Sequence, residues 1–256
     1  MSELPEDALE RARALALGTT HWSPVPPRSA ATVMLLREAP EGLQTYMMKR
    51  AQTMAFAASA YVFPGGRLDP EDLDQGAALS DPAVDFAALA VRLSTDEREA
   101  RGLLICGARE LEEEASVSVD PLELVVIDHW VTPEWEPLRY DVRFFLAHLP
   151  EGQDPQPRGT EAVEARWIAP AEALREADAG EIVLMAPTRA ALEQLLDHSE
   201  IAQLIAAADA RTIVPRMDRL QVHDDGSTSF AIVHHRTGEI LEQGRTPPPP
   251  ETSRSA

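Results

Sequence analysis

An α/β fold is predicted for this chain of 256 residues by three observations. Two strand-like runs flank a tight turn near the N-terminus, further apolar strand-like runs recur later, and long stretches of helix-forming residues separate them. In order, residues 5–17 read as a short amphipathic helix and 23–27 as a Pro-rich entry segment. Residues 30–37 and 43–50 are predicted strands, and Ala39-Pro40-Glu41-Gly42 makes them a hairpin. A small, apolar stretch from Ala51 to Ala60 leads to Phe63-Pro64-Gly65-Gly66. Residues 74–82 have loop character, 84–93 and 97–107 look helical, and the second of these runs on into 109–115.

Beyond that point, 122–130 and 140–149 read as strands separated by a turn at 133–137, and 151–159 as a loop. Residues 161–168 alternate as a strand, and Pro170 starts a helix to Ala177. A helix over 190–197 is expected to be capped by Thr188, with further helix over 201–208. Alternating runs around Asp224-Asp225-Gly226 and Thr237-Gly238 predict a small β appendage at 211–245. Residues 246–256, with four consecutive prolines, are expected to be a disordered tail. The organisation expected is an N-terminal helix and entry segment at 1–29 and a main domain at 30–210 with an insertion at about 73–106, followed by the appendage and the tail.

A formal net charge of -20 argues against binding polyanions by bulk attraction, so no nucleic-acid partner is expected. An acidic chain that handles phosphates needs metal ions and local arginines. Cys106 is the single cysteine, which excludes an intramolecular disulfide and a cysteine-based zinc cluster; its apolar surroundings predict a core position. The N-terminus has no basic region followed by an apolar core, and no window approaches 18 apolar residues, so neither a signal peptide nor a membrane span is expected. A cytoplasmic location follows as the expectation. Among 23 basic residues only Lys49 is lysine, which reads as the signature of a GC-rich bacterial genome.

The chemistry centres on Arg109-Glu110-Leu111-Glu112-Glu113-Glu114-Ala115. Good helix formers without Gly or Pro put Glu110, Glu113 and Glu114 on one face, because positions three and four apart are neighbours on a helix. Such a face is either simply solvated or occupied by a hard divalent cation, Mg²⁺ or Mn²⁺, which prefers oxygen ligands and leaves positions for water and phosphate oxygens. Arg109 either orients neighbouring carboxylates through a bidentate pair or is a surface cation. Upstream, the Gly65-Gly66 pair ends an apolar run and permits close approach of a ligand or a side chain.

Together the two stretches resemble the split signature of the Nudix hydrolases: Gly, five residues, Glu, seven residues, then Arg-Glu-aliphatic-any-Glu-Glu-any-Gly-aliphatic. Arg109 to Val117 match the second half, with Ser116 in place of Gly. Counting five residues on from Gly66 reaches Asp72, an acid one methylene short, and residues 73–108 number 36 where the signature has seven. Arg50, Ala51 and Phe63 to Gly66 also fall on the pattern of family members that cleave coenzyme A, whereas Ala55 and Ser59 depart from its second Arg and its Gly. The interruption and the runs around Arg139 to Phe145 and Pro187-Thr188 resemble the acyl-CoA diphosphatase branch.

That resemblance implies a Nudix α/β/α sandwich with a mixed β-sheet, a helical insertion and metal-dependent hydrolysis of a small nucleotide-containing substrate. It makes Glu110, Glu113 and Glu114 metal ligands, with Glu161 or Glu164 as a further one, and gives Glu110, Glu113 and Arg109 catalytic roles. Glu110 either completes the metal shell or takes the proton of the attacking water. Arg50, Arg67, Gly65 and Gly66 are the expected substrate contacts. The implied reaction splits the diphosphate of CoA or acyl-CoA into a phosphopantetheine product and 3′,5′-ADP. Hydrolysis of ADP-ribose, NADH or a similar compound, and a non-catalytic nucleotide sensor, are the alternatives. Many relatives dimerise, and the appendage offers an interface for a homodimer.

Overall fold

The computed structural model describes residues 6–51, 59–158 and 162–245. Helix α1 spans Glu6–Leu17. Strands β1, Arg28–Ala39, and β2, Gly42–Arg50, form the expected hairpin, with Ala39 opposite Gly42 at the turn. Gly42 has φ +116°, a backbone that side chains with a Cβ rarely adopt. Two short strands follow, β3 at Ala60–Val62 and β4 at Gly65–Arg67, then α2 at Pro70–Gly76 and α3 at Phe86–Arg92. The long helix α4, Glu97–Ala115, leads through a 3₁₀ turn at Pro121–Glu123 to β5, Val125–Val131, and β6, Tyr140–His148. Then come β7 at Ala162–Ile168, α5 at Pro170–Asp178, β8 at Val183–Leu184, α6 at Ala186–Glu193 and α7 at Ile201–Ala210. Strands β9, Arg216–Val222, β10, Thr228–His234, and β11, Ile240–Arg245, complete the described chain.

The strands form one mixed sheet in the order β11-β10-β9-β5-β6-β1-β2-β3-β8, with β4 paired to β1 and β7 to β2. The β1–β6, β3–β8 and β5–β9 pairings are parallel. Alternation along β1 and β6 builds the layers. Val33, Leu35, Phe145 and Ala147 pack beneath α3 and α4 with Phe86, Leu103, Leu104 and Leu111. Met34, Leu36, Phe144 and Leu146 face the other way, into the cluster of Leu174, Leu192, Leu195, Ile201 and Leu204 around α5 to α7. Each fully buried Leu or Phe contributes roughly 1.5–3 kcal/mol, so both faces of the central strands are committed to core. The α/β/α sandwich expected from the sequence is therefore present.

The sequence reading needs two corrections. Residues 74–76 are the last turn of α2, because Pro70 at the helix start and a capping box between Asp69 and Asp72 begin a helix that the turn formers Gly76, Ser80, Asp81 and Pro82 disguise. Helix α6 starts at Ala186 with Met185 as its N-cap, so Thr188 is a buried residue of the first turn and caps nothing. Pro187, pre-set for helical φ, moves the start upstream. The tail at 246–256 and Glu161 lie outside the described residues.

The C-terminal strands extend the main sheet through one register pair, Trp130 opposite Arg216. The junction is fastened by Asp128, which is 3% exposed. Its carboxylate accepts bonds from the Arg216 guanidinium, from Trp130 Nε1 at 3.0 Å and from Gln194 Nε2 at 2.7 Å. A buried carboxylate so fully hydrogen-bonded locks β5, β9 and the end of α6 together. Helix α1 covers the far end, where Ala8 and Ala12 pack with Trp135, Leu220 and Phe230.

Candidate active site

Helix α4 is capped at its start by Asp96, which accepts from Glu99 N at 2.9 Å. Its inner face of Leu103, Leu104, Cys106, Leu111 and Ala115 is buried, with the three- and four-residue spacing of an amphipathic helix. Gly102 of α4 and Gly76 of α2 mark the close contact between the two helices. A Cβ on Gly102 would lie 2.8 Å from Leu73 Cδ2, and one on Gly76 would lie 2.8 Å from Gly102 N, so α2 rests directly against α4. Cys106 is fully buried, and burial pushes its thiol well above the usual range.

With the inner face fixed, Glu110 and Glu114 reach β4, while the exposed Glu113 is bonded by Arg109. Gly65 and Gly66 pair with Thr32 and Ala31 of β1, which brings the backbone of β4 against the helix. Gly65 N donates to Glu114 Oε2 at 2.9 Å. Gly66 leaves the space that the Glu110 carboxylate fills, since a Cβ there would sit 2.5 Å from Glu110 Cδ. The Gly pair thus seats two of the three carboxylates.

Arg109 holds the group in register. Its Nε and Nη2 donate to the two oxygens of Asp72 at 2.8 and 2.9 Å, while Nη1 donates to Glu110 Oε1 at 2.8 Å and to Glu113 Oε2 at 3.2 Å. Asp72 is fully buried and also accepts from Asp69 N at 2.9 Å. Its bonds to Arg109 raise the pKa of the guanidinium further. Burial pushes the Glu110 carboxyl up, against the pull of Arg109 and with the repulsion of Glu113 and Asp72. Three carboxylates thus face one guanidinium with Glu114 beside them, and the residual negative charge together with all-oxygen donors fits a hard divalent cation. Among the described residues no set of three such side chains encloses a common point; Arg109 bonds Glu110 and Glu113, and Gly65 N bonds Glu114.

Other candidate residues are placed differently. Glu164 is exposed on β7 opposite Lys49 and hydrogen-bonds Tyr61; its strand neighbours Ala165 and Trp167 pack on the α4 side, so Glu164 faces the other layer. Arg67 pairs with Asp69 through bonds of 3.0 and 2.7 Å, while its carbonyl accepts from Arg109 Nη2 at 3.2 Å. Arg50 ends β2 and is half-buried. Trp130, Phe144 and Tyr61 are core residues. Sequence reasoning did not assign a role to Asp72; its distance from Gly66 in the signature was the signal available.

The helix ends at Ser116 with φ 60° and ψ 28°, the left-handed conformation favoured by Gly. Ser116 N donates to Glu112 O at 3.0 Å, and its hydroxyl donates to Gln156 O at 3.1 Å. The loop around Gln156 is fixed to the same helix end: Gln156 N donates to Ala115 O at 2.8 Å and Arg158 N to Glu114 O at 3.0 Å.

This arrangement of sheet, covering helices and Gly-anchored acidic helix is the Nudix fold. A crystal structure of a Nudix hydrolase from Alicyclobacillus acidocaldarius aligns with 71% of this chain and 96% of its own at a TM-score of 0.59 and 23% identity. A MutT Nudix hydrolase structure from Burkholderia pseudomallei covers 67% of this chain and 99% of its own with a TM-score of 0.41 and 17% identity. Among curated proteins, the putative nudix hydrolase 7 of Caenorhabditis elegans is 27% identical over 180 residues, 66% of this chain. This chain spans 59% of the length of that relative. No family model matches the chain.

Proposed function

We propose that the protein is a Mg²⁺- or Mn²⁺-dependent Nudix hydrolase of the diphosphate bond in nucleoside diphosphate derivatives, with CoA and acyl-CoA as its substrates. The observation that carries this reading is the row Glu110, Glu113 and Glu114, with Glu110 and Glu114 seated on Gly66 and Gly65 and with Arg109 tying Glu110 and Glu113 to Asp72. Glu113 and Glu114 would hold the cation, leaving Glu110 for the proton. When bound, the cation screens the two phosphates, lowers the pKa of water and steadies the leaving phosphate. Glu113 is the carboxylate most open to it, with a side chain that is 59% exposed.

In the reaction, water oxygen bonds to one phosphorus, the bridging P–O bond breaks, and the released phosphate carries the negative charge away. The proton of the water passes to a carboxylate. Burial against Gly66 suits Glu110 for that task, because its carboxyl holds a proton more readily than an exposed glutamate. Arg109 keeps Glu110 and Glu113 from rotating apart.

The CoA reading is supported by the spacing of Arg50, Ala51 and Phe63-Pro64-Gly65-Gly66 and by Ser59. That residue occupies the Gly position of the CoA pattern and has φ 64°, the backbone a Gly would supply. Ala55, which replaces the second Arg of the pattern, lies outside the described residues; this departure favours ADP-ribose or NADH as the competing substrates.

A panel of CoA, several acyl-CoAs, ADP-ribose, NADH and nucleoside triphosphates, assayed in Mg²⁺ and in Mn²⁺ with separated products, tests the reading. The expected product from CoA compounds is 3′,5′-ADP, and Glu113→Gln is expected to reduce turnover by roughly 10²-fold or more. Turnover of ADP-ribose or NADH in its place would reassign the substrate. Nucleotide binding without turnover of any compound would favour a sensor.

A further inference from the structure

We propose that Arg158 is a substrate-binding residue that takes the phosphate oxygens of the diphosphate, an inference that rests on the hydrolase reading above. Its backbone is fixed at the acidic helix itself, with Arg158 N donating to Glu114 O at 3.0 Å. The approach to that point is tied down as well. Gln156 N donates to Ala115 O at 2.8 Å, Ser116 Oγ donates to Gln156 O at 3.1 Å, and Gln153 exchanges two 2.8 Å bonds with the backbone of Ser118. The loop therefore carries Arg158 to the end of α4 with little freedom of its backbone.

The charges around the site single this residue out. Arg109 is occupied by Asp72, Glu110 and Glu113, Arg67 by Asp69, and Arg166 by Glu176. Arg158 is exposed, and no described residue pairs with its guanidinium. A diphosphate entering beside three carboxylates, in a chain of net charge -20, meets repulsion that a cation must offset. A planar guanidinium offers paired donors to phosphate oxygens, and one that no described residue engages is available for them.

A helix end also attracts a cation, so the competing role for Arg158 is to stabilise α4 through its C-terminal carbonyls. The two roles separate experimentally. Arg158→Gln, Arg158→Lys and the surface control Arg175→Gln would be compared by steady-state kinetics, by calorimetric binding of ADP in Mg²⁺, and by thermal melting. The expected result for Arg158→Gln is a roughly tenfold rise in KM and in the Kd for ADP, with kcat within about threefold and an unchanged Tm. Lysine should recover part of the loss, and the control should match wild type. Unchanged KM and Kd, with or without a lowered Tm, would overturn the proposal, as would failure of the wild-type protein to bind ADP. Absence of turnover with tenfold weaker ADP binding in Arg158→Gln would instead overturn the hydrolase reading and leave Arg158 as a phosphate contact.

Discussion

Arg109 grips Asp72 through two parallel hydrogen bonds of 2.8 and 2.9 Å, although the residues stand 37 positions apart. The pair closes the interruption in the signature: α2 and α3 leave and return, and α4 meets α2 at the Gly76–Gly102 contact. Asp72 is fully buried and Arg109 half-buried, so the pair works where water screens it poorly. Its removal should be felt by both fold and site.

Asp72→Ala is expected to lower stability by about 2–4 kcal/mol, since it deletes charged hydrogen bonds and leaves Arg109 partly unpaired. Equilibrium urea unfolding would measure it. Asp72→Glu restores the acid of the family signature but adds a methylene at a fully buried position, so a smaller loss of roughly 1–3 kcal/mol is expected. A variant Asp72→Ala as stable as wild type would show that the pair holds nothing together.

The two glycines of β4 should respond differently to alanine. At Gly66 the new methyl meets the Glu110 carboxylate, the mobile end of a long side chain, so the fold should survive while Glu110 is displaced. Hydrolysis should drop by roughly 10²-fold with Tm nearly unchanged. At Gly65 the methyl meets Ala31 O at 2.6 Å and Thr32 Cα at 2.8 Å, backbone that cannot step aside. Gly65→Ala should therefore lower stability by about 1–3 kcal/mol in thermal melts.

Ser116 sets a strained backbone against a hydrogen bond. Ser116→Gly removes a left-handed strain of about 1 kcal/mol and with it the 3.1 Å bond to Gln156 O, a bond of about that worth, so a net change near zero is expected. Ser116→Ala keeps the strain and loses the bond, and should be less stable by about 0.5–1.5 kcal/mol. Urea midpoints of the three proteins would rank them; equal midpoints for alanine and serine would dismiss the hydroxyl bond.

A buried group away from the site makes stability depend on pH. His129 is 1% exposed, bonds Asp141 through Nε2, and faces Arg143 alongside, with His235 and Arg236 nearby. Burial lowers the pKa of His129 despite the pull of Asp141. Burial raises and the His129 and Arg143 contacts lower that of Asp141, which ends below its ordinary value. In both cases the unfolded chain binds more protons than the folded one as pH falls. Stability is therefore complete above the ordinary histidine value of 6.5 and declines below it, then declines again below the ordinary aspartate value of 3.8. Urea midpoints should drop between about pH 7.5 and about pH 5.5, and His129→Gln should flatten that drop.

The sequence alone determined the local content of this protein. Helix formers from Arg109 to Ala115 fix three carboxylates on one face whatever surrounds them, and alternation fixes which residues of β1 and β6 point to each layer. The Ala39–Gly42 turn, the helix opened by Pro170 and the α/β class were legible for the same reason: each is set by neighbours in the chain. Helix α2 and the start of α6 were misread where a proline and a capping box outweigh composition.

Tertiary structure alone decided the rest. Only packing brings Asp72 to Arg109 and Gly65 N to Glu114, because the intervening residues carry no local signal of where they return. It also joins the C-terminal strands to β5 through Asp128 and Arg216, and turns Glu164 to the layer away from Glu110, Glu113 and Glu114. Contacts between residues far apart in sequence depend on sheet order and register, which short-range preferences do not encode.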